Sequence, residues 1–484
     1  MYHLAALQRE GLPIWNSLTN ASYTAYLYLL FTTADGPGLV YWDGMVGHSG
    51  KNGCRLYCGT LGRRKEGGKH YYPALLCPRD HVVLGSDHPD VNVFDLPPGG
   101  SAGYGDNLTK IVTVRNPTQW DKTKTETGLT KPPLILGLPP SRSLGIPLSM
   151  TTDIMHLAGN LSDLLLSLWR GTIDLDPMDD KTTWDWATLC DSNIWTTHGK
   201  DVENVGCHLP GSYDRKPRNI ADKLNTQYKT WEFQLYTFGI APILLYEILP
   251  SKYWSHYCKL VRGFQMMCQY SLTAEQLKDA QSLLCTWERE FELLYYQLKE
   301  CRIHFVRPAV HQVAHLVPEA VQKGPPICYA QWMMERTIGN LGQQIRQPSK
   351  PFANLAREGV RRCQVNALIS LIPELDDSPQ VLPRGAVDLG GGYVLCRKRA
   401  KHPIFPGPEL SQAIQLLLGG DQAVPRIIKW ARLRLPNGQV ARSLWKESDH
   451  LDRQLRISRN VKVSLLYKIE CSLKLTIGSF SSKD

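Results

Sequence analysis

The sequence contains no apolar run that is long enough to cross a bilayer. Its longest apolar stretches, at 23–31 and 240–249, fall well short of the roughly 18 to 20 residues that a spanning helix requires. The first residues, MYHLAALQREGLPIW, lack the basic start, apolar middle and small-residue cleavage site of a secretory signal. The 13 cysteines are odd in number and scattered through apolar segments. We therefore expect a protein of a reducing compartment that does not span a membrane.

Nucleotide-binding signatures are missing as well. No G-x4-G-K-[ST] occurs, and the three glycines 390–392 in VDLGGGYVL lack the strand, G-x-G-x-x-G and helix order of a dinucleotide site. These glycines predict a hairpin or a bulge. The charge excess is small, because 55 Lys and Arg face 45 Asp and Glu, giving +10. This bias mildly favours phosphate-rich partners.

What is present is an ordinary globular composition, 43% hydrophobic and 21% charged, in a chain of 484 residues that suggests two to four structural units. The run YTAYLYLLFTT, stopped by Gly36 and Pro37, predicts a buried strand that leads into a turn with Asp35 at its end. Clusters of Gly, Pro and basic residues predict loops over 44–150. Apolar residues at helical spacing predict a helix over 152–169; they are Ile154, Leu157, Leu161, Leu164, Leu165 and Leu168.

The region from about 180 to 325 is aromatic and amphipathic. Its clearest helix covers 273–300, with an N-cap at Thr273 or Ser271. After a further helix at 327–345 the chain becomes basic and strand-like, and Asn437-Gly438 predicts a hairpin turn. The other helices predicted in this region cover 219–238, 240–249, 251–270 and 302–322.

Three long segments carry a resemblance to a known family. ADGPGLVYWDGMVGHSGKNGCRLYC (34–58), TTDIMHLAGNLSDLLLSLWRG (151–171) and YAQWMMERTIGNLGQQIRQPSKPFANLAREGVRR (329–362) resemble, in this order, three blocks of CACTA-type DDE transposases of plants and fungi. The resemblance extends along nearly the whole chain, including LPGSYDRKPRN, KYWSHYCKLVRG and LPNGQVARSLW.

The resemblance implies an α/β fold: an incomplete RNase H-like catalytic core with a large all-helical insertion and a small C-terminal β-containing module. The expected boundaries are 1–170 for the partial core, with a loop-rich segment at 44–80 that could bind zinc, 171–325 for the insertion, 326–376 for the last core helices and 377–484 for the C-terminal module. In such enzymes three carboxylates hold two Mg²⁺ or Mn²⁺ ions for phosphodiester cleavage and strand transfer.

By this resemblance Asp35 corresponds to the family's second catalytic Asp, and Glu335 in WMMERTIGNL to its late Glu. From the residues alone, Asp35 could simply form a turn before Gly-Pro, and Glu335 could lie on a solvated helix face, with Glu358 as the alternative acid. Asp153 and His156 resemble the family's D-x-x-H signature; at i and i+3 of a helix they share one face. We expect them to orient the site or contact DNA, although Asp153 also suits a plain N-cap.

The set His48, Cys54, Cys58 and His70 offers four nitrogen and sulfur ligands, as a tetrahedral Zn²⁺ site requires. The alternative is buried, unligated thiols beside surface histidines. Two basic groups are predicted to contact DNA phosphates, with solvated surfaces as the alternative. They are Arg63, Arg64, Lys65 and Lys69 in the loop, and Arg336, Arg346, Arg357, Arg361 and Arg362 in the late helices.

The family's first catalytic Asp precedes the segment that HLAALQREGLPIWN resembles, and that segment already starts at residue 3. We therefore expect an N-terminally truncated transposase remnant that is inactive alone, nuclear and partnered with transposon terminal repeats, and a candidate for homo-oligomer formation. The competing interpretation is a non-catalytic protein derived from a transposase, which binds DNA or protein.

Overall fold

A computed structural model of the chain describes residues 2–16, 18–79, 81–97, 103–209, 213, 215–224, 228–345, 349–375, 382, 384–397, 399–418, 423–436, 438 and 440–443. They form two compact units, one of 1–198 with 223–346 and one of 199–222 with 347–484. The described chain is a mixed α/β structure, about half helical, with small antiparallel sheets. No described helix has both the length and the apolar character needed to cross a membrane.

The helices are joined by short 3-10 and π-helical segments. They are α1 (Tyr2–Glu10), α2 (Gly36–Asp43), α3 (Tyr104–Thr113), α4 (Pro117–Thr127), α5 (Ile154–Trp169), α6 (Ser192–Val205), α7 (Ile220–Lys223), α8 (Thr230–Leu235), α9 (Ala241–Leu244), α10 (Ser251–Met267), α11 (Ala274–Phe291), α12 (Pro308–Val313), α13 (Leu316–Lys323), α14 (Trp332–Gln344), α15 (Pro351–Leu371) and α16 (Pro408–Leu417).

The strands are short. They are β1 (Leu12–Asn16), β2 (Ala21–Ala25), β3 (Arg63–Arg64), β4 (Tyr71–Tyr72), β5 (Val387–Gly390), β6 (Tyr393–Leu395), β7 (Arg432–Arg434) and β8 (Val440–Arg442). β1 pairs with β2 and β3 with β4, whereas β5 to β8 form a four-stranded antiparallel sheet in chain order.

α5 is the central helix of the first unit, and its burial confirms the helical pattern predicted over 152–169. The helix begins at Ile154 because Asp153 has an extended backbone and caps the free N–H groups of the first turn. All six apolar residues of the predicted face are buried, from Ile154 to Leu168. Because this face is buried in the core, the N-terminal end of α5, where Asp153 lies, is held in place by packing.

The aromatic block packs around α10 and α11, as expected for a helical core. Thr273 and Gln276 form a reciprocal capping box at the start of α11, which confirms the predicted N-cap. Trp287, Phe291 and Tyr295 are fully buried. The α-helix ends at Phe291 rather than near 300, because a π-helical turn follows.

The run 23–33 begins within β2, but the prediction that it is a buried strand is wrong. Tyr23 is 54%, Tyr28 62% and Leu30 52% exposed. Side chains of this run lie at the surface. The guanidinium of Arg142 lies 4.1 Å from the Tyr26 ring centroid and 5.6 Å from that of Tyr28, so these rings make surface cation–π contacts.

The second unit contains the β5–β8 sheet and the long helix α15. Glycines 391 and 392 turn the chain between β5 and β6 with positive φ, which confirms the predicted hairpin. β7 and β8 also form a hairpin, and Gly438 in its turn has φ 79°. Asn437 and the strand-like segment LRISRNVKVSLLYKIECSLKLTI at 455–477 lie outside the described residues.

Candidate functional site

Two cysteines and two histidines of the first unit converge into a compact group, called here the cysteine–histidine group: Cys54, Cys58, His311 and His315. The Sγ of Cys54 lies 3.6 Å from Nε2 of His315, and the Sγ of Cys58 lies 3.4 Å from Nε2 of His311. The two Nε2 atoms are 3.0 Å apart. All four ligand atoms lie within 4.8 Å of one another. Such a group could hold a metal ion such as zinc.

The spacing suits tetrahedral coordination. Zn–S and Zn–N bonds of about 2.3 and 2.0 Å separate neighbouring ligand atoms by roughly 3.3 to 3.8 Å. Cys54 and Cys58 lie on one turn, in which the amide of Tyr57 donates to the Cys54 carbonyl at 3.1 Å. His311 lies on α12, and His315 occupies the N-cap position of α13 without a side-chain capping bond. The short turn between the two helices brings the two rings face to face.

The two thiols have different proton affinities. The hydrogen bond with Cys54 lowers the pKa of Cys58 far below its ordinary value, and the charge of His311 lowers it further, although burial acts in the opposite direction. The same hydrogen bond and burial raise the pKa of Cys54. The pair is therefore predisposed to hold a thiolate, which is the form that binds metals.

The ligand set predicted from the sequence is half right. Cys54 and Cys58 belong to the group, but His48 and His70 do not; their rings pack against each other at 5.8 Å, and His70 stacks on Tyr72 at 4.3 Å. The predicted histidines were those nearest to the cysteines in sequence. The spacing C-x3-C followed by H-x3-H at 311–315 was visible, and it falls within the spacings of known zinc sites.

A second set of side chains, called here the acidic group, consists of Asp35, Asp153, His156 and Glu335. Two isolated parallel bridges, Leu29 with Ser143 and Thr32 with Met150, join the segment before Asp35 to the segment before Asp153, which makes a turn at 146–149 between the bridges. Each Asp lies three residues beyond the second bridge and caps a helix, Asp35 the helix α2 and Asp153 the helix α5. The two carboxylates therefore follow the same parallel bridge.

Asp35 is exposed at the start of α2, and its Oδ1 accepts a hydrogen bond of 2.7 Å from the amide of Gly38. A Cβ at position 38 would lie 2.7 Å from this same oxygen. The Gly-Pro-Gly sequence thus serves the turn and leaves room for the carboxylate.

Asp153 is 4% exposed, and all its bonding capacity is used within the protein. Oδ1 accepts from the amides of Met155 and Gln331, and Oδ2 accepts from the amide and Nδ1 of His156, the last at 2.5 Å. The carboxylate is therefore an anchor for the ring of His156 and for the chain before α14. The N-cap interpretation of Asp153 is confirmed, and its role in orienting a site stays a prediction.

The start of α14 is fixed beside this anchor. In addition to the Gln331 bond, the indole of Trp332 donates to Gln234, whose side-chain amide donates to the carbonyl of Met155. Glu335 lies one turn into α14 and is exposed. Glu335 is therefore held near the same end of α5 as Asp153.

The imidazole of His156 lies within the electrostatic influence of the three carboxylates of the acidic group. The hydrogen bond with Asp153 raises the pKa of His156, and the negative charges of Asp35 and Glu335 raise it further, whereas burial acts in the opposite direction. Among the described residues, only the cysteine–histidine group is tight enough to coordinate an ion as it stands. The acidic group is more open.

The basic residues predicted to contact DNA differ in their availability. Arg63 is fully buried, and its guanidinium donates to five carbonyls, those of Ala74, Leu75, Ser86, His88 and Pro89. It cannot reach a phosphate, so for Arg63 the prediction is wrong: the charge closes a loop. Lys65 is paired with Asp176, and Arg64 donates to the Gly68 carbonyl.

Other members of the two basic sets remain at the surface. Lys69, Arg336 and Arg357 are exposed, and so is Arg361, although it pairs with Glu358 at 2.8 Å. Arg362 is half-buried, and Arg346 lies outside the described residues.

Comparison of the chain with protein-family models, with curated proteins and with solved structures finds no match. The chemistry of the two groups is therefore argued from their geometry. The first offers soft sulfur and nitrogen ligands in a closed setting, which suits a structural ion. The second offers carboxylate oxygens at the surface, which suit a hard divalent cation that keeps several waters.

Proposed function

We propose that the chain carries part of the catalytic site of a DDE-type DNA transposase with an RNase H-like core. In this proposal Asp35 and Glu335 are ligands of divalent cations, and Asp153 and His156 orient the site. The observation that supports it most directly is geometric: the bridge between Thr32 and Met150 brings the segment before Asp35 beside the segment before Asp153, and the hydrogen bond of 3.0 Å from the Gln331 amide to Asp153 brings the start of α14 to the same place.

The backbone supports the same proposal. Parallel bridges bring the segment before Asp35 beside the segment before Asp153, and the Gln331 amide binds Asp153 just before the helix that carries Glu335. The two acids assigned by the resemblance, Asp35 and Glu335, are therefore both attached to the surroundings of Asp153. The helices within 171–325, which follow α5, would then be the inserted block. The RNase H-like assignment itself depends on the resemblance.

The acidic residues present fit a hard cation, because Asp35 and Glu335 are exposed carboxylates and Mg²⁺ or Mn²⁺ prefers oxygen ligands. When bound, such ions activate the attacking oxygen and stabilise the leaving oxygen of a phosphodiester. The chain's own contribution is to hold Asp35 on the cap of α2 and Glu335 on α14.

For the cysteine–histidine group we propose Zn²⁺ as the ion. It would join the segment that follows Asp35 to the segment that precedes Glu335. It would therefore stabilise the site without taking part in the chemistry. The proposed partner is duplex DNA, with Lys69 and Arg336 among the exposed cations that remain available, and the proposed compartment is the nucleus.

The test is a titration of the zinc-loaded full chain with Mn²⁺, followed by electron paramagnetic resonance. We expect Asp35→Asn and Glu335→Gln each to weaken Mn²⁺ binding by at least about ten-fold, because each removes one charged ligand. Glu358→Gln, which changes the alternative acid, serves as the matched control and should leave binding unchanged.

Equal Mn²⁺ affinity in the wild type, Asp35→Asn and Glu335→Gln would overturn the metal-site assignment. Loss of binding in Glu358→Gln instead of Glu335→Gln would transfer the role to Glu358. DNA binding that weakens with salt but is indifferent to Asp35→Asn and Glu335→Gln, in a chain that binds no Mn²⁺, would favour the non-catalytic interpretation.

A further inference from the structure

α13 carries two buried, oppositely charged side chains that the proposed chemistry does not use. The side chains of Glu319 and Lys323 are 3% and 4% exposed and form an ion pair of 2.9 Å, one turn apart. Buried ion pairs contribute little net stability by themselves, because desolvation offsets the attraction. Their other contacts therefore matter.

Both side chains bind the backbone of the segment that leads into Asp153. The Glu319 carboxylate accepts the amide of Thr152 with both oxygens, at 3.0 and 3.3 Å, and Lys323 donates to the carbonyl of Met150 at 2.6 Å. On its other edge the same segment binds Thr32, which donates its amide to Ser149 and accepts the amide of Thr151. The segment before Asp153 is thus held from two sides.

The held segment determines where Asp153 and His156 stand. Asp153 follows Thr152 directly, and its carboxylate holds the imidazole of His156 and the amide of Gln331. A shift of Thr152 would therefore move both the ring of His156 and the start of α14. α13 begins next to His315, so one helix links the cysteine–histidine group to the acidic group.

We infer that Glu319 and Lys323 are positioning residues, which set the placement of Asp153 and His156 relative to Asp35 and Glu335. The expected effect on Mn²⁺ binding rests on the proposed function, whereas the placement of Asp153 and His156 by Glu319 and Lys323 does not require a metal. Glu319 acts as the acceptor for the Thr152 amide, and Lys323 neutralises Glu319 and binds the neighbouring carbonyl.

The test has two measurements on the zinc-loaded full chain. Nitrogen-edited NMR of labelled histidines follows the deshielded Nδ1 proton that a short bond from His156 to Asp153 produces, and a Mn²⁺ titration follows the acidic group. Glu319→Ala should abolish the deshielded resonance and weaken Mn²⁺ binding by about ten-fold or more, a typical effect of a group that supports metal ligands. Glu319→Gln, which keeps an acceptor for Thr152, should restore most of both.

Asp163→Asn is the matched control, because Asp163 is an exposed acid on the same helix as His156 and pairs with Arg307 at the surface. It should change neither measurement. Folding is checked by circular dichroism and by zinc content. If Glu319→Ala does not fold, Lys323→Met, which loses the bond to the Met150 carbonyl, must reduce the resonance.

Folded, zinc-loaded Glu319→Ala with an unchanged resonance and unchanged Mn²⁺ affinity would overturn the inference and leave Glu319 a purely structural residue. A wild-type resonance in folded Lys323→Met would overturn it equally. A wild type that binds no Mn²⁺ contradicts the proposed function instead. In that case the resonance alone still decides whether Glu319 and Lys323 position His156.

Discussion

The cysteine–histidine group and the acidic group are built from neighbouring parts of the sequence, yet their environments differ. Cys58, His311 and His315 are buried, Cys54 partly so, and the four ligand atoms are already within coordination distance. In the acidic group Asp35 and Glu335 are exposed, and only Asp153 is buried. One group is closed and the other is open.

The difference follows from where the hydrogen bonds go. Asp153 is saturated by amides and by His156, so burial costs it little. Among the described residues, Asp35 has only the Gly38 amide as a hydrogen-bond partner, and Glu335 has no side-chain partner at all. A charge with few partners stays in water. Structural metal sites are closed in the same way, whereas reactive sites keep coordination positions open to water and substrate.

The largest effect should come from breaking the closed group. Cys58→Ser, or removal of metal by a chelator, should abolish zinc binding and lower the free energy of unfolding by at least about 3 kcal/mol, because metal-binding free energy adds to folding free energy. Metal analysis and thermal unfolding with and without chelator measure the two effects.

Two control variants sharpen this test. Cys190→Ser changes an exposed thiol and should alter stability by no more than about 0.5 kcal/mol. His48→Asn should retain zinc, whereas His311→Asn should not, which separates the cysteine–histidine group from the ligand set predicted by local spacing. A protein without bound zinc, whose melting temperature is indifferent to chelator, would contradict the closed-site interpretation.

A smaller effect on the free energy of unfolding is expected from pH, through the contact between His156 and the buried Asp153. The pKa of His156 is raised by Asp153, so the pairing stabilises the folded state fully below the unfolded pKa of about 6.5 and is lost as pH rises through the higher folded pKa. Asp153→Asn keeps a capping side chain but removes the charge. It should lower the pKa of His156 and flatten the decline in stability above about pH 6.5.

The measurement is a histidine NMR titration with urea unfolding at several pH values. Asp163→Asn, on the same helix, should leave the pKa of His156 unchanged. If Asp153→Asn leaves that pKa unchanged as well, the contact between Asp153 and His156 is not the cause of the shift.

The sequence predicted local features better than distant ones. The face of α5 and the capping box at Thr273 are set by residues within a few turns, so periodicity and cap chemistry were enough. Cys54 and Cys58 were found for the same reason. The H-x3-H spacing of His311 and His315 is visible in the sequence, but their pairing with thiols more than 250 residues earlier depends on how α12 and α13 pack.

The same limit applies to charge. Arg63 has the sequence context of a surface cation within a basic cluster, but the loop folds around it and presents five carbonyls. Glu319 and Lys323 have the spacing of an ordinary i, i+4 helix pair, and only the packed structure shows that they bind the backbone before Asp153. The contacts of these buried charged side chains are with backbone groups that are distant in the sequence, so they cannot be predicted from the local sequence.

The smallest expected effect on stability is also the most direct test of why Asp35 is exposed. Asp35 caps α2, so Asp35→Ala should cost about 1 kcal/mol, whereas Asp35→Asn should stay within about 0.5 kcal/mol because Asn also caps well. Both should lose Mn²⁺ binding, since neither is a charged ligand. Urea unfolding measures the contribution of Asp35 to helix capping, and a Mn²⁺ titration measures its contribution to cation binding. Together the two measurements separate these roles. If Asp35→Asn lowers the free energy of unfolding as much as Asp35→Ala does, the negative charge of Asp35 itself stabilises α2. Asp35 would then have a structural role, as the cysteine–histidine group does.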